Sequence, residues 1–208
     1  AAKIVGAASD LTNTLVTSGS SVTAATALVD ITDGTFASTS ATIAATALGD
    51  IGAKTTGVVT VTKAAKIVGA ASDLTNTLVT SGSSVTAATA LVDITDGTFA
   101  STSATIAATV LGDIGAKTTG VVTVTNAAKI VGAASDLTNT LVTSGSSVTA
   151  ATALVDITDG TFASTSATIA ATALGDIGAK TTGVVTVSNA VKIVGAASDL
   201  TNTLVTSG

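Results

Sequence analysis

The sequence predicts an α/β solenoid, with one strand and one short helix in each coil of about 21 residues. Three observations carry this prediction. The chain of 208 residues repeats itself every 63. Each 63-residue unit carries a weaker internal repeat. Each of these smaller units alternates between helix-like and strand-like spacing of its apolar residues.

The long period divides the chain into repeats at 1–63, 64–126 and 127–189 and a partial fourth at 190–208, read as one continuous solenoid. Ala1-Ala2-Lys3-Ile4-Val5-Gly6 returns at Ala64, at Ala127 and, with Val191 for Ala2, at Ala190. Few other positions vary. Ala47 becomes Val110 and then Ala173, and Thr62-Lys63 becomes Thr125-Asn126 and then Ser188-Asn189. With copies this alike, sameness between them marks no functional residue.

The internal repeat is anchored on Leu28, Leu48, Ile67 and Leu91, at spacings of 20, 19 and 24 that total 63. Three spacings make three coils, each with a helix-like part. Ala24, Ala27, Leu28 and Ile31 lie on one helical face. So do Ile43, Ala47, Leu48 and Ile51, and again Ala1, Ile4, Val5, Ala8 and Leu11. Alanine favours helix, and Thr23, Thr42 and Thr62 stand where N-caps belong. The strand-like parts are Gly57–Thr62 and Asn13–Thr17, mostly β-branched, with Gly34–Thr39 a weaker third case. Ser18-Gly19, Asp33-Gly34 and Thr56-Gly57 supply turns.

Stacking would then set Val58 and Val59 beside Leu15 and Val16, and Leu28 beside Leu48. About ten coils fit the chain, with strands on the concave side because strands stack more closely than helices pack. An all-β solenoid is the alternative, favoured by the abundance of threonine.

The alphabet restricts function. Eleven residue types occur, and His, Cys, Met, Trp, Tyr, Pro, Arg, Glu and Gln are missing. Without His or Cys, the usual catalytic triads and zinc, copper, haem or iron–sulfur sites cannot be built. No enzyme is expected. A net charge of −5 without arginine argues against nucleic acid. The mean hydropathy is +0.70, yet the charge-free stretch Leu11–Val29 holds nine Ser, Thr or Asn residues, so no membrane span is expected. No signal peptide or initiator Met is visible, and both ends fall inside a repeat, as in an excerpt from a longer array.

Among candidate sites, Asp30 and Asp33 in Val-Asp-Ile-Thr-Asp-Gly could ligate calcium at a turn. The bland reading is a solvated helix-end Asp30 and an ordinary Asp33-Gly34 turn. The spacing fits neither an EF-hand nor a calcium nonapeptide, so no metal or other cofactor is assigned. Asp10 reads as a cap or turn residue. Asp50 and Lys54, four apart, read as a surface ion pair. Lys3 and Lys63 are expected in solvent, and Phe36, Phe99 and Phe162 in the core. Thr55-Thr56-Gly57 lacks the rest of a phosphate loop. Thr12-Asn-Thr14 and Thr60-Val-Thr62 have the Thr-x-Thr form of an ice-ordering array, but such triplets are irregularly spaced along the chain.

Two segments, Ala47-Leu-Gly-Asp-Ile-Gly-Ala-Lys-Thr-Thr-Gly-Val-Val-Thr-Val-Thr62 and Ala64-Ala-Lys-Ile-Val-Gly-Ala-Ala-Ser-Asp-Leu74, resemble tandem repeats of very large bacterial surface and secreted proteins, cyanobacterial ones among them. The resemblance extends along the whole chain and is one of composition and short motifs. It implies an extracellular adhesin, surface-layer or fibre component. The expected function is structural: a filament or a cell-surface stalk that self-associates end to end or laterally. A carbohydrate- or surface-binding adhesin module is the alternative, and an ice-binding solenoid the third reading.

Overall fold

The computed structural model describes residues 3–17, 26–32, 42–61, 66–80, 85–87, 89–96, 105–124, 129–143, 148–150, 152–158, 168–188 and 192–206. Strands and short helices alternate along the chain, and the strands form parallel sheets. The class is therefore α/β, and the all-β alternative does not hold.

The first repeat contains β1 (Lys3–Gly6), α1 (Ala8–Leu11), a π-helical turn (Thr12–Thr17), β2 (Leu28–Ile31), β3 (Thr42–Ala44), α2 (Ala45–Gly52) and β4 (Val59–Val61). The second contains β5 (Lys66–Gly69), α3 (Ala71–Leu74), a π-helical turn (Thr75–Thr80), β6 (Val85–Thr86), β7 (Leu91–Ile94), β8 (Thr105–Ala107), α4 (Ala108–Gly115) and β9 (Val122–Val124). The third contains β10 (Lys129–Gly132), α5 (Ala134–Leu137), a π-helical turn (Thr138–Thr143), β11 (Val148–Thr149), β12 (Leu154–Ile157), β13 (Thr168–Ala170), α6 (Ala171–Gly178) and β14 (Val185–Val187). The partial fourth contains β15 (Lys192–Val194), α7 (Ala197–Thr201) and a π-helical turn (Asn202–Thr206).

Two compact units are present: Ala1–Thr95 with Asp113–Thr123, and Asp96–Gly112 with Val124–Gly208. In the first unit, β1-β2-β4-β6 form one parallel sheet and β3-β5-β7-β9 line up in another. From β2 to β7 the chain visits the two sheets alternately. In the second unit, β8-β10-β12-β14 form a parallel sheet and β13 pairs with β15.

The pairing offsets are not the expected 21 or so. Lys3 pairs with Leu28, Val29 with Val59, Val59 with Val85 and Thr42 with Lys66, which are offsets of 25, 30, 26 and 24. Leu28 stands opposite Val58 in this register. Two pairing steps thus carry the chain from Lys3 to Val58, and eight more residues bring it to Lys66 in the other sheet. A 63-residue repeat is therefore not three equal coils of about 21 residues. The same tetrapeptide therefore lies in alternate sheets: Lys-Ile-Val-Gly as β1 and β5, Leu-Val-Asp-Ile as β2 and β7.

Local readings divide along the same line. Ala45–Gly52 is helical and Val59–Val61 extended, as the spacing predicts. Leu28–Ile31 is a strand and not a helix. Val29 and Ile31, on one face of the strand, are buried, and such β-branched residues suit extended backbone. Lys3–Gly6 is likewise a strand, with helix beginning only at Ala8. Asn13–Thr17 lies in a π-helical turn and not a strand. There the Thr17 hydroxyl donates to the Thr12 carbonyl at 3.2 Å, five residues back, which suits the wider turn.

The expected neighbours change accordingly. Val59 pairs with Val29 and Val85, not with Leu15. Leu48 is buried in α2, whereas Leu28 faces outward from β2, so the two anchors are not equivalent positions. Thr42 belongs to β3, and Ala44 takes the N-cap position of α2 without a side-chain cap. Thr23, Thr62, Lys63, Gly34–Thr39, the Ser18-Gly19 turn and the three phenylalanines lie outside the described residues.

The core is aliphatic. Ile31, Val59 and Val61 are fully buried on the first sheet, Ile67 and Ile94 on the second, and Leu48, Ile51 and Leu74 on the helices. Their burial against water drives the packing.

Candidate functional site

Asp30, the candidate calcium ligand, lies in β2 and is only 6% exposed. It is neither at a turn nor solvated at a helix end. The Lys3 ammonium lies 2.8 Å from Asp30 Oδ2. The register explains the contact. Lys3 stands opposite Leu28 and Val5 opposite Asp30, so lysine and aspartate are diagonal neighbours on one face of the sheet. Lys66 and Asp93 repeat the pair at 2.5 Å, and Lys129 and Asp156 at 2.6 Å. Lys3 is exposed to solvent, as expected, while its ammonium also contacts the Asp30 carboxylate. Asp33 lies outside the described residues.

The three carboxylates differ at their second oxygen. Asp156 Oδ1 accepts the Ser188 hydroxyl. Asp30 Oδ1 and Asp93 Oδ1 are buried without a hydrogen-bond partner among the described residues. Burial raises the Asp156 carboxyl, but the Lys129 ammonium and the Ser188 hydroxyl together outweigh it and hold the group below its ordinary value. Among the described residues no three acidic side chains gather as a metal site would require.

The expected Asp50–Lys54 ion pair does not form between these described residues. The helix ends at Gly52, and the Lys54 amide donates to the Ile51 carbonyl at 3.1 Å. This tighter turn breaks the i, i+4 geometry the pair needs.

Two threonine contacts each occur three times along the chain, and the sequence reading missed both. In the first, the Thr55 hydroxyl donates to the Ala27 carbonyl at 2.6 Å and accepts from the Gly57 amide at 2.9 Å. A Cβ at Gly57 would lie 2.3 Å from that same carbonyl oxygen, so only glycine fits. Thr118 with Ala90 and Gly120, and Thr181 with Ala153 and Gly183, repeat the arrangement. Thr55-Thr56-Gly57 is thus a clamp between passes of the chain.

The second contact joins one repeat to the next. The Thr77 hydroxyl, in the second repeat's π-helical turn, donates to the Ala45 carbonyl of the first repeat at 2.9 Å. Thr140 does the same to Ala108 at 2.9 Å, and Thr203 to Ala171 at 3.0 Å. Gly49 allows this approach, since a Cβ there would meet Thr77 Oγ1 at 2.8 Å. β3 pairs with β5 across the same boundary. A glycine inside an otherwise Ala-rich helix was the available signal for close packing. No residue separation in the sequence indicated its partner.

The second set of contacts builds a junction between repeats, which offers hydrogen-bonding backbone and small side chains. No helix among the described residues is long and apolar enough to cross a membrane. No family model matches the chain, and neither a curated protein nor a solved structure matches it.

Proposed function

We propose that the chain is a non-enzymatic structural repeat segment, wound as a continuous α/β solenoid and belonging to an extracellular fibre or cell-surface stalk. The observation that supports this reading is the junction between repeats. The Thr77–Ala45, Thr140–Ala108 and Thr203–Ala171 contacts use the same residues each time, so each repeat presents the surface that the next one needs. Such modules extend in one dimension by nearest-neighbour contacts. The restricted alphabet supports the absence of catalysis, and the resemblance to bacterial surface repeats supports the location.

Electron microscopy of the purified protein tests the reading. Thin filaments or elongated rods of uniform width are expected. Compact, isometric particles would overturn it.

A further inference from the structure

We propose that the internal junction between repeats also forms between chains that fold side by side. The second repeat of one copy docks on the first repeat of another, and the displaced second repeat docks in return. The proposal deepens the self-association reading above, as a lateral link between arrays, and rests on it. The partner is a second copy of this chain.

The identity of the docking parts carries the inference. The acceptor is β3 with α2, residues 42–52, and the docking segment is β5 with α3 and its π-helical turn, residues 66–80. Residues 129–143 repeat 66–80 without a change, and residues 105–115 repeat 42–52 with Val110 for Ala47. The contacts repeat with them. Thr42 stands opposite Lys66 as Thr105 does opposite Lys129. The Thr77 and Thr140 hydroxyls donate to the Ala45 and Ala108 carbonyls at the same 2.9 Å. The acceptor thus holds no feature that tells its own chain's segment from that of another copy, and specificity needs such a difference. All of these segments lie between residues 42 and 143, so the docking involves neither residue 1 nor residue 208.

The exchange leaves no junction contact unmade. β4 pairs with β6 across the same boundary, Val59 opposite Val85 and Thr60 opposite Thr86, and this ladder passes to the second copy with the rest. Leu48, Ile51, Leu74 and Leu78 are buried around the junction, and the exchanged form buries them against the same side chains of the other copy. The two forms therefore share their hydrogen bonds and apolar burial. They differ in the entropy of association and in the connection from Val61 to Lys66. That connection reaches at most roughly 17 Å when extended, which sets two exchanged arrays side by side. Concentration during folding then decides between them. A copy that arrives before the chain's own second repeat has docked competes for the same acceptor.

Single cysteines test this in the full-length protein, which has no native cysteine. Ala44 and Val68 are register partners on adjacent strands, within disulfide reach. The Ala44→Cys/Val68→Cys protein, refolded dilute, is expected to lock within one chain, which checks both fold and reach. The Ala44→Cys and Val68→Cys proteins, unfolded and refolded together, are expected to give disulfide-linked heterodimers on oxidation, in a yield that rises with chain concentration. The same two proteins folded apart and then mixed are expected to give only background. Equal yields by the two routes would show collision and overturn the exchange. So would the absence of heterodimers from the co-refolded pair while the double variant locks. A double variant that does not lock would remove the β3–β5 junction and the proposal with it. Filaments of the unmodified chain in any of these cases would leave the fibre reading standing on a different contact. Absence of filaments and of heterodimers would remove both.

Discussion

The Thr77 hydroxyl donates to the Ala45 carbonyl across the boundary between the first two repeats, 32 residues apart in the chain. Ala45 opens α2, and Thr77 sits in the π-helical turn packed against it. Thr77 is buried, so no water replaces the bond when it is lost. Thr77→Val keeps the shape and removes the donor, and is expected to cost about 1 kcal/mol in chemical denaturation. A variant as stable as the parent would show that the bond contributes nothing net.

Two glycines give opposite expectations. Gly57→Ala drives a Cβ into the Ala27 carbonyl and is expected to destabilise by roughly 2 kcal/mol or more, since the neighbour is backbone and cannot turn aside. Gly178→Ala meets nothing within 4 Å at the end of α6. It is expected to raise stability by about 0.5 kcal/mol through the unfolded chain's lost freedom. Thermal melts of the two variants side by side check both signs.

Lys66 neutralises a carboxylate that is almost wholly buried. Lys66→Met leaves Asp93 charged and unpaired, and the expected loss is roughly 1–3 kcal/mol, moderated because the lysine itself is partly in water. Lys66→Met with Asp93→Leu should recover most of it, since an apolar pair of similar size needs no desolvation. A double variant less stable than Lys66→Met alone would contradict this account.

Acid should weaken the third repeat through Asp156. Its carboxyl is held below the ordinary 3.8 in the folded chain. A depressed folded value contributes stability that is present above the unfolded pKa and lost as pH falls through the folded one, a window below about pH 4. Ser188→Ala removes one of the groups that depress it. The Asp156 titration, followed by carboxyl NMR, should therefore move upward in that variant.

Calcium is expected to leave the melting midpoint unchanged, with or without chelator. The Lys3 ammonium already occupies Asp30 Oδ2 at 2.8 Å, and a divalent cation would have to displace it. A rise in midpoint with calcium would show that a second set of ligands completes a site.

How much of this was legible in the sequence depended on range. The helix at Ala45–Gly52 is visible because Leu48 and Ile51 keep i, i+3 spacing in an alanine-rich stretch. The strand at Val59–Val61 is visible because β-branched residues dominate it. Leu28–Ile31 is too short to decide, since four apolar-rich residues fit either period, and pairing with β1 and β4 makes it a strand. The internal repeat misled because Leu28, Leu48 and Ile67 match in sequence but fall in a strand, a helix and another strand. The threonine contacts stayed hidden for a different reason. Thr55–Ala27 and Thr77–Ala45 join residues 28 and 32 apart, and each uses the backbone carbonyl of an alanine, which carries no side-chain signature.

Within the first unit, one 63-residue step carries a strand sequence to the other sheet. Lys-Ile-Val-Gly sits in one sheet as β1 and in the other as β5, and Leu-Val-Asp-Ile does so as β2 and β7. Neither of these two sheets can then specialise through those tetrapeptides. Each side chain in them has to suit both settings.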